Sequence, residues 1–432
     1  MKALSFYLPV FCIGFFFCQT LVFSQDNTIF QNKVFKEDIK TVLCYKKGQE
    51  MSFPLINLES EEHVIFTFDE LGNSINDYSW TLIHCDANWQ QSDLEPIEYI
   101  DGYPSGNIDN YEFSQNTMVN YINYWLELPN EESRLMISGN YLLKIYERNN
   151  PDNLIITQRF YVAERLVKIS AKVDQIQVNS GEGRNQRINV QFNCNQQIEN
   201  PSETLKFKIF QNTGFEKDFA KLKPSFVNGN TLKFELINEL GFAGGNEYRH
   251  FDLKSLKFIS DRILDIEKKE DCYHIRLRED EDRSSLPYNF KNDLNGRKLI
   301  KLENNEKSRI MADYCFVYFD LNAEIPLQNG DFYIYGSISD WGYGATTKMN
   351  YDFNKKKFFT KLFLKQGYYN YLYLFKTEDK FYNTEEGKLI TEGNHFQTEN
   401  EYQLLVYYKD YTTSYEKLVG YALINSTISA DY

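Results

Sequence analysis

Apolar and polar residues trade places one by one along Thr231-Leu232-Lys233-Phe234-Glu235-Leu236. Leu205-Lys206-Phe207-Lys208-Ile209-Phe210 nearly repeats the pattern, as does Ile188-Asn189-Val190-Gln191-Phe192. Successive side chains of a strand point to opposite faces, so this alternation marks strands with one face in a core. Tyr141-Leu142-Leu143-Lys144-Ile145-Tyr146 alternates less cleanly and reads as a strand buried on both faces. Turn signals separate the runs: Asn149-Asn150-Pro151-Asp152, Asn228-Gly229-Asn230 and Asn329-Gly330-Asp331. No segment sustains a helical period over three turns. Aromatic residues make up 16% of the chain, and they favour half-buried pleated surfaces. The fold class that follows is all-β, built of consecutive immunoglobulin-like or early-set β-sandwiches.

The first 25 residues read as a secretory signal peptide: Lys2, then an apolar run from Phe6 to Phe23, with small residues Val22 and Ser24 before a cut near Ser24 or Gln25. A membrane anchor is disfavoured, because a span needs about 20 uninterrupted apolar residues and Pro9, Gly14, Gln19 and Thr20 interrupt the run. Phe15-Phe16-Phe17 before Cys18 is too bulky for a usual lipoprotein signal. Beyond the leader we expect a first unit at 26–163, a second at 164–307 and a third at 308–432. The charged stretch from Asp261 to Lys307 is assigned to the second unit, as a hairpin with a long polar loop.

A net charge of −14 argues against a nucleic-acid partner, which needs basic stripes. It also argues against direct binding to an anionic bilayer. Cys44, Cys85, Cys194, Cys272 and Cys315 are scattered, with no C-x-x-C pair, so they read as buried single thiols.

No catalytic signature emerges: there is no G-x-S-x-G, Walker loop or H-E-x-x-H. Gly241-Phe242-Ala243-Gly244-Gly245 lacks the Lys-Ser/Thr of a phosphate cradle and reads as a turn or bulge. His84 and Cys85 are neighbours on a strand and face opposite ways, so they do not make a catalytic couple. Glu95, Glu98 and Asp101 read as a solvated acidic loop. The chain is therefore expected to be no enzyme and to need no cofactor or metal.

One surface suggests binding. Trp80, Trp89, Tyr99, Tyr103, Tyr111, Tyr121, Tyr124 and Trp125 all fall in the first unit. Core packing claims at least half of them. Trp89, Tyr99, Tyr103 and Tyr111 lie in or beside a loop-like stretch and are the better candidates for contacting a partner. The run Tyr333 to Trp341 resembles the strand-and-turn of glycogen-binding-type early-set sandwiches. Trp341 is thus a further candidate, although a Trp there also suits a core plug. It supports an alternative reading, a periplasmic or secreted glycan-binding sandwich.

Longer blocks carry a more specific resemblance. His84-Cys85-Asp86-Ala87-Asn88-Trp89 is followed by Glu98-Tyr99-Ile100-Asp101-Gly102-Tyr103, Tyr121-Ile122-Asn123-Tyr124, Leu128-Pro129-Asn130 and Ser138-Gly139-Asn140-Tyr141. Later come Gly244-Gly245-Asn246-Glu247-Tyr248-Arg249-His250-Phe251-Asp252, Leu364-Lys365-Gln366-Gly367-Tyr368-Tyr369 and the block from Glu392 to Tyr402. In this order they resemble the type IX secretion system plug protein family, over nearly all the chain beyond the leader. The resemblance implies a non-catalytic periplasmic protein at the inner face of the outer membrane. Its implied partner is the giant β-barrel translocon, whose periplasmic mouth it seals when cargo is absent. Membrane association is then through that protein partner alone. No functional residues are carried over from the family.

Overall fold

The strand Asn185–Cys194 shows how the alternation becomes architecture. Gln186, Ile188, Val190, Phe192 and Cys194 turn inward while the residues between them are half-exposed. In the computed structural model, which describes residues 30–176, 184–303, 305–322, 330–377, 384–410, 413–427 and 430–431, this strand pairs antiparallel with Val167–Gln175 on one side and Thr231–Phe234 on the other. The leader lies outside the described residues. The protein is an all-β assembly of sandwiches, as the alternation implies.

The first sandwich joins a sheet containing Asn150–Ala163, Gly139–Glu147 and Tyr78–Cys85 to a four-stranded sheet of Ile39–Lys46, Val64–Leu71, Tyr121–Leu128 and Asn110–Phe113. Aromatic rings fill the space between. Phe68 stacks on Tyr124 at 5.2 Å, and Tyr78 meets the same ring edge-on. Offset and edge-to-face pairs of this kind are worth about 0.5–1.5 kcal/mol each beyond their buried area.

The boundary expected between the second and third units does not follow the sheets. Leu205–Gln211 pairs along its whole length with Glu401–Tyr408, which pairs in turn with Lys417–Asn425. The second sandwich therefore takes three strands from the end of the chain, counting Ala430–Asp431, which pairs with Val167–Gln175, and its core mixes Phe192 and Phe207 with Leu404, Val406 and Ile424. The third sandwich is inserted within it. Its core runs from Phe251 to Phe375, between a sheet centred on Tyr368–Thr377 and one centred on Tyr314–Asn322. The hairpin expected between Asp261 and Lys307 exists as Ile263–Lys268 and Tyr273–Leu277. It belongs to the third sandwich, because Tyr273–Leu277 pairs in parallel with Tyr314–Asn322.

The three sandwiches share buried interfaces. Phe53, Cys85, Trp89, Leu142 and Tyr161 of the first form one apolar cluster with Phe210, Leu405, Tyr407 and Leu418 of the second. Phe215 of the second packs with Tyr248, Tyr335, Leu372 and Leu374 of the third. Between the first and third, Lys365 and Asp69 form an ion pair at 2.6 Å with side chains only 1% and 0% exposed. Asp69 also accepts from Tyr314 and Asn123, and the Lys365 ammonium lies 4.1 Å from the Tyr121 ring. Such a pair survives burial because its remaining hydrogen-bonding capacity is satisfied. Among the described residues no helix is long and apolar enough to cross a membrane.

Candidate partner interface

The strand Tyr78–Cys85 ends in the block His84 to Trp89, and the structure gives that block internal work. The His84 imidazole sits between Ser92 Oγ at 2.8 Å and the Ser138 carbonyl at 3.1 Å. Burial holds it neutral, with its pKa lowered to about 4. Gly139 has φ +145°, and a Cβ there would lie 2.3 Å from His84 Nε2, which ties the block 84–89 to the block 138–141. Cys85 turns the other way, into the cluster shared with the second sandwich. Asp86 Oδ1 accepts from the amides of Asn88 and Gln90, closing a tight turn.

That turn carries Trp89 inward. Its ring meets Tyr161 edge-on at 5.4 Å, and the Arg159 guanidinium covers it at 4.3 Å. Tyr99 is likewise buried, its hydroxyl donating to the Leu82 carbonyl. As surface contacts these two candidates are corrected by the structure: both are packing residues. Trp341 is half-buried where the sandwiches meet. It packs edge-on to Tyr335 at 5.8 Å, and a Cβ at Gly214 would lie 2.3 Å from its ring. These contacts fit the core-plug reading of a Trp at this position.

Tyr103 and Tyr111 do reach solvent. Tyr103 stands on a small ribbon made by Pro96–Tyr99, a single helical turn, and the paired strands Ile100–Gly102 and Ser133–Leu135. The turn forms here because Pro96 presets the first helical φ and Glu95 and Glu98 make a reciprocal capping box. Glu98 accepts from the Glu95 amide at 2.7 Å, so its carboxylate helps hold the turn. Gly102, at φ +104°, lets the ribbon close, since a Cβ would collide with the Glu132 carbonyl.

The ribbon exposes Ile97 at 81%, Tyr103 at 67% and Met136 at 51%. Around them stand Glu98, Asp101, Glu131, Glu132 and Arg134, all exposed. Exposed apolar side chains among polar, mostly acidic neighbours on one short ribbon suit a protein contact. Ile97 and Met136 escaped sequence reasoning, because a single exposed aliphatic residue carries no pattern. Tyr111 lies on the edge strand Asn110–Phe113, whose four residues are all exposed, and its ring meets Phe113 and Tyr124. Glu112 of that strand pairs with Arg309 of the third sandwich, so this edge also helps dock the third sandwich.

Residues 39–164 match the protein family described as "Type 9 secretion system plug protein 1st domain". Among solved structures the chain is similar to a hypothetical protein from Parabacteroides merdae ATCC 43184. The two are 32% identical, the match covers 91% of this chain and 98% of that one, and the TM-score is 0.85. No curated protein matches the chain.

Proposed function

This chain belongs to the type 9 secretion system plug protein family, and from that premise we propose that it binds the periplasmic mouth of the outer-membrane translocon and seals it when cargo is absent. Family membership connects it to type 9 secretion in a non-catalytic role. The finer reading rests on one observation above others: all three pairs of sandwiches share buried interfaces. A plug must resist deformation across a wide pore, and a body whose parts are joined by buried interfaces suits that demand.

The contact to the translocon is assigned to the ribbon carrying Ile97, Tyr103 and Met136, with Tyr111 a further exposed candidate. An exposed apolar patch with an acidic rim fits a removable interface, in which a few central side chains carry most of the affinity. Its acidic rim calls for basic residues on the opposing rim of the barrel. The protein is placed in the periplasm after cleavage of its leader. A tagged chain expressed in its own host and recovered from solubilised membranes should bring the barrel subunit with it. Recovery without any outer-membrane barrel protein would refute the reading.

A further inference from the structure

The tip of the hairpin in the third sandwich gathers three different metal-binding side chains. Asp271, Cys272 and His274 each present a ligand atom, and these atoms lie within 4.8 Å of one another. The sequence D-C-x-H produces this by simple geometry. Cys272 and His274 are two residues apart at the start of a strand and so share a face. The Lys269 amide bonds to the Cys272 carbonyl at 3.0 Å and closes the turn, which brings Asp271 back over that face.

The imidazole is held in place before any ion arrives. Its Nδ1 lies 2.8 Å from the Tyr318 hydroxyl, and its ring sits between Phe316 and Tyr318 at 5.4 and 5.8 Å. These contacts come from the neighbouring strand, where His274 stands opposite Phe316. With Nδ1 engaged, Nε2 is the nitrogen that faces the turn, 3.4 Å from Asp271 Oδ1. A second-shell partner on the far ring nitrogen is the usual support of a metal-ligating histidine.

We propose that Asp271, Cys272 and His274 form a binding site for a divalent zinc-class ion, with a fourth position open to solvent. Thiolate with imidazole selects a borderline-soft ion over calcium or magnesium. Tetrahedral zinc with nitrogen and oxygen arms of about 2.0–2.2 Å sets those two ligand atoms about 3.4 Å apart. The Asp271–His274 separation already has that value. The sulfur closes the third edge by rotation about its side-chain bond, and the exposed Asp271 side chain is free to follow. Binding releases the thiol proton to solvent, and the thiolate and carboxylate together neutralise the ion. Lys361, whose ammonium lies over the Phe316 ring at 4.5 Å, is solvent-exposed and can turn away.

The test titrates the purified protein with zinc against a chromophoric chelator, and with cobalt followed by absorption. One equivalent should bind, and the cobalt form should show a near-ultraviolet sulfur-to-cobalt charge-transfer band. Cys272→Ser and His274→Ala should abolish that band, while Cys194→Ser keeps it. Tyr318→Phe should weaken zinc binding by about 10–100-fold, the usual cost of losing a second-shell partner. Zinc should also shield Cys272 in the unaltered protein from maleimide, read by mass spectrometry of its peptide. Cobalt bound without the charge-transfer band, or Cys272 labelled at the same rate with and without zinc, would overturn the proposal. Neither outcome depends on whether the chain seals a translocon.

Discussion

At the scale of single residues, the chemistry of this chain is mostly internal. Asp69 and Lys365 are separated by most of the sequence, yet each is the other's counter-ion in a buried interface. Removing one partner leaves a buried charge unmatched. Asp69→Ala should therefore cost about 3–5 kcal/mol of stability, measured by denaturant unfolding. Replacing the pair together, as Asp69→Leu with Lys365→Met, should recover much of that loss. Asp293 makes a prediction about pH. Burial raises its carboxyl to about 7, with Glu247 and Glu399 nearby adding to the rise and the amides of Asn295 and Tyr248 opposing it. An unfolded Asp titrates near 3.9. Between those values the folded state holds a proton that the unfolded state has lost, so this group's contribution to stability falls as pH rises through the window. The thermal midpoint should decline from pH 5 to pH 8 more steeply in the unaltered protein than in Asp293→Asn. An equal slope in both would remove Asp293 as the cause. None of these partners was legible in the sequence. A lone Asp or Lys in a strand pattern looks solvated, and only the meeting of distant strands reveals its counter-charge. D-C-x-H escaped notice for a different reason. Cysteines and histidines were weighed as scattered singles, and the turn that folds Asp271 back had no recognised signature.

At the scale of elements, the alternating patterns gave the strands well, and the reason is local. Period 2 is a property of six adjacent residues, as in Asn185–Cys194, and needs no knowledge of the rest of the chain. Sheet membership is not local. Nothing within Leu205–Gln211 announces that its partner is Glu401–Tyr408, so the expected boundary at 307/308 cut across an inserted sandwich. The orientation of the aromatic side chains in the loop is not local either. Composition picks out aromatic residues, but the turn at Asp86 aims Trp89 inward and Tyr99 falls on the buried side of its helical turn. Tyr103 is the candidate that remains on the exposed ribbon. Tyr103→Ala should change stability by no more than about 0.5 kcal/mol, the usual range for a surface site. If the ribbon contacts the translocon, the same change should weaken association by about 2 kcal/mol, as expected of a central contact residue. Titration of labelled protein against the purified barrel would measure it, and an unchanged affinity would assign the contact elsewhere.

At the scale of the whole molecule, three sandwiches joined by buried interfaces should unfold together. The end of the chain is the sharpest probe of this. A chain ending before Glu401 loses two of the four strands of one sheet in the second sandwich. The cluster shared with the first sandwich loses Leu405, Tyr407 and Leu418 as well. Such a truncation should fail to give a protease-resistant second sandwich, whereas a chain of successive independent units would keep one. On the proposed reading, the same interfaces would keep the molecule rigid while it stops a channel. The most direct measurement is outer-membrane permeability in the native host, reading entry of a large hydrophilic dye into cells with the gene deleted. We expect increased entry, reversed by the intact protein and not by Tyr103→Arg expressed at the same level. Normal impermeability in the deletion strain, with the translocon still present in the membrane, would contradict the sealing role.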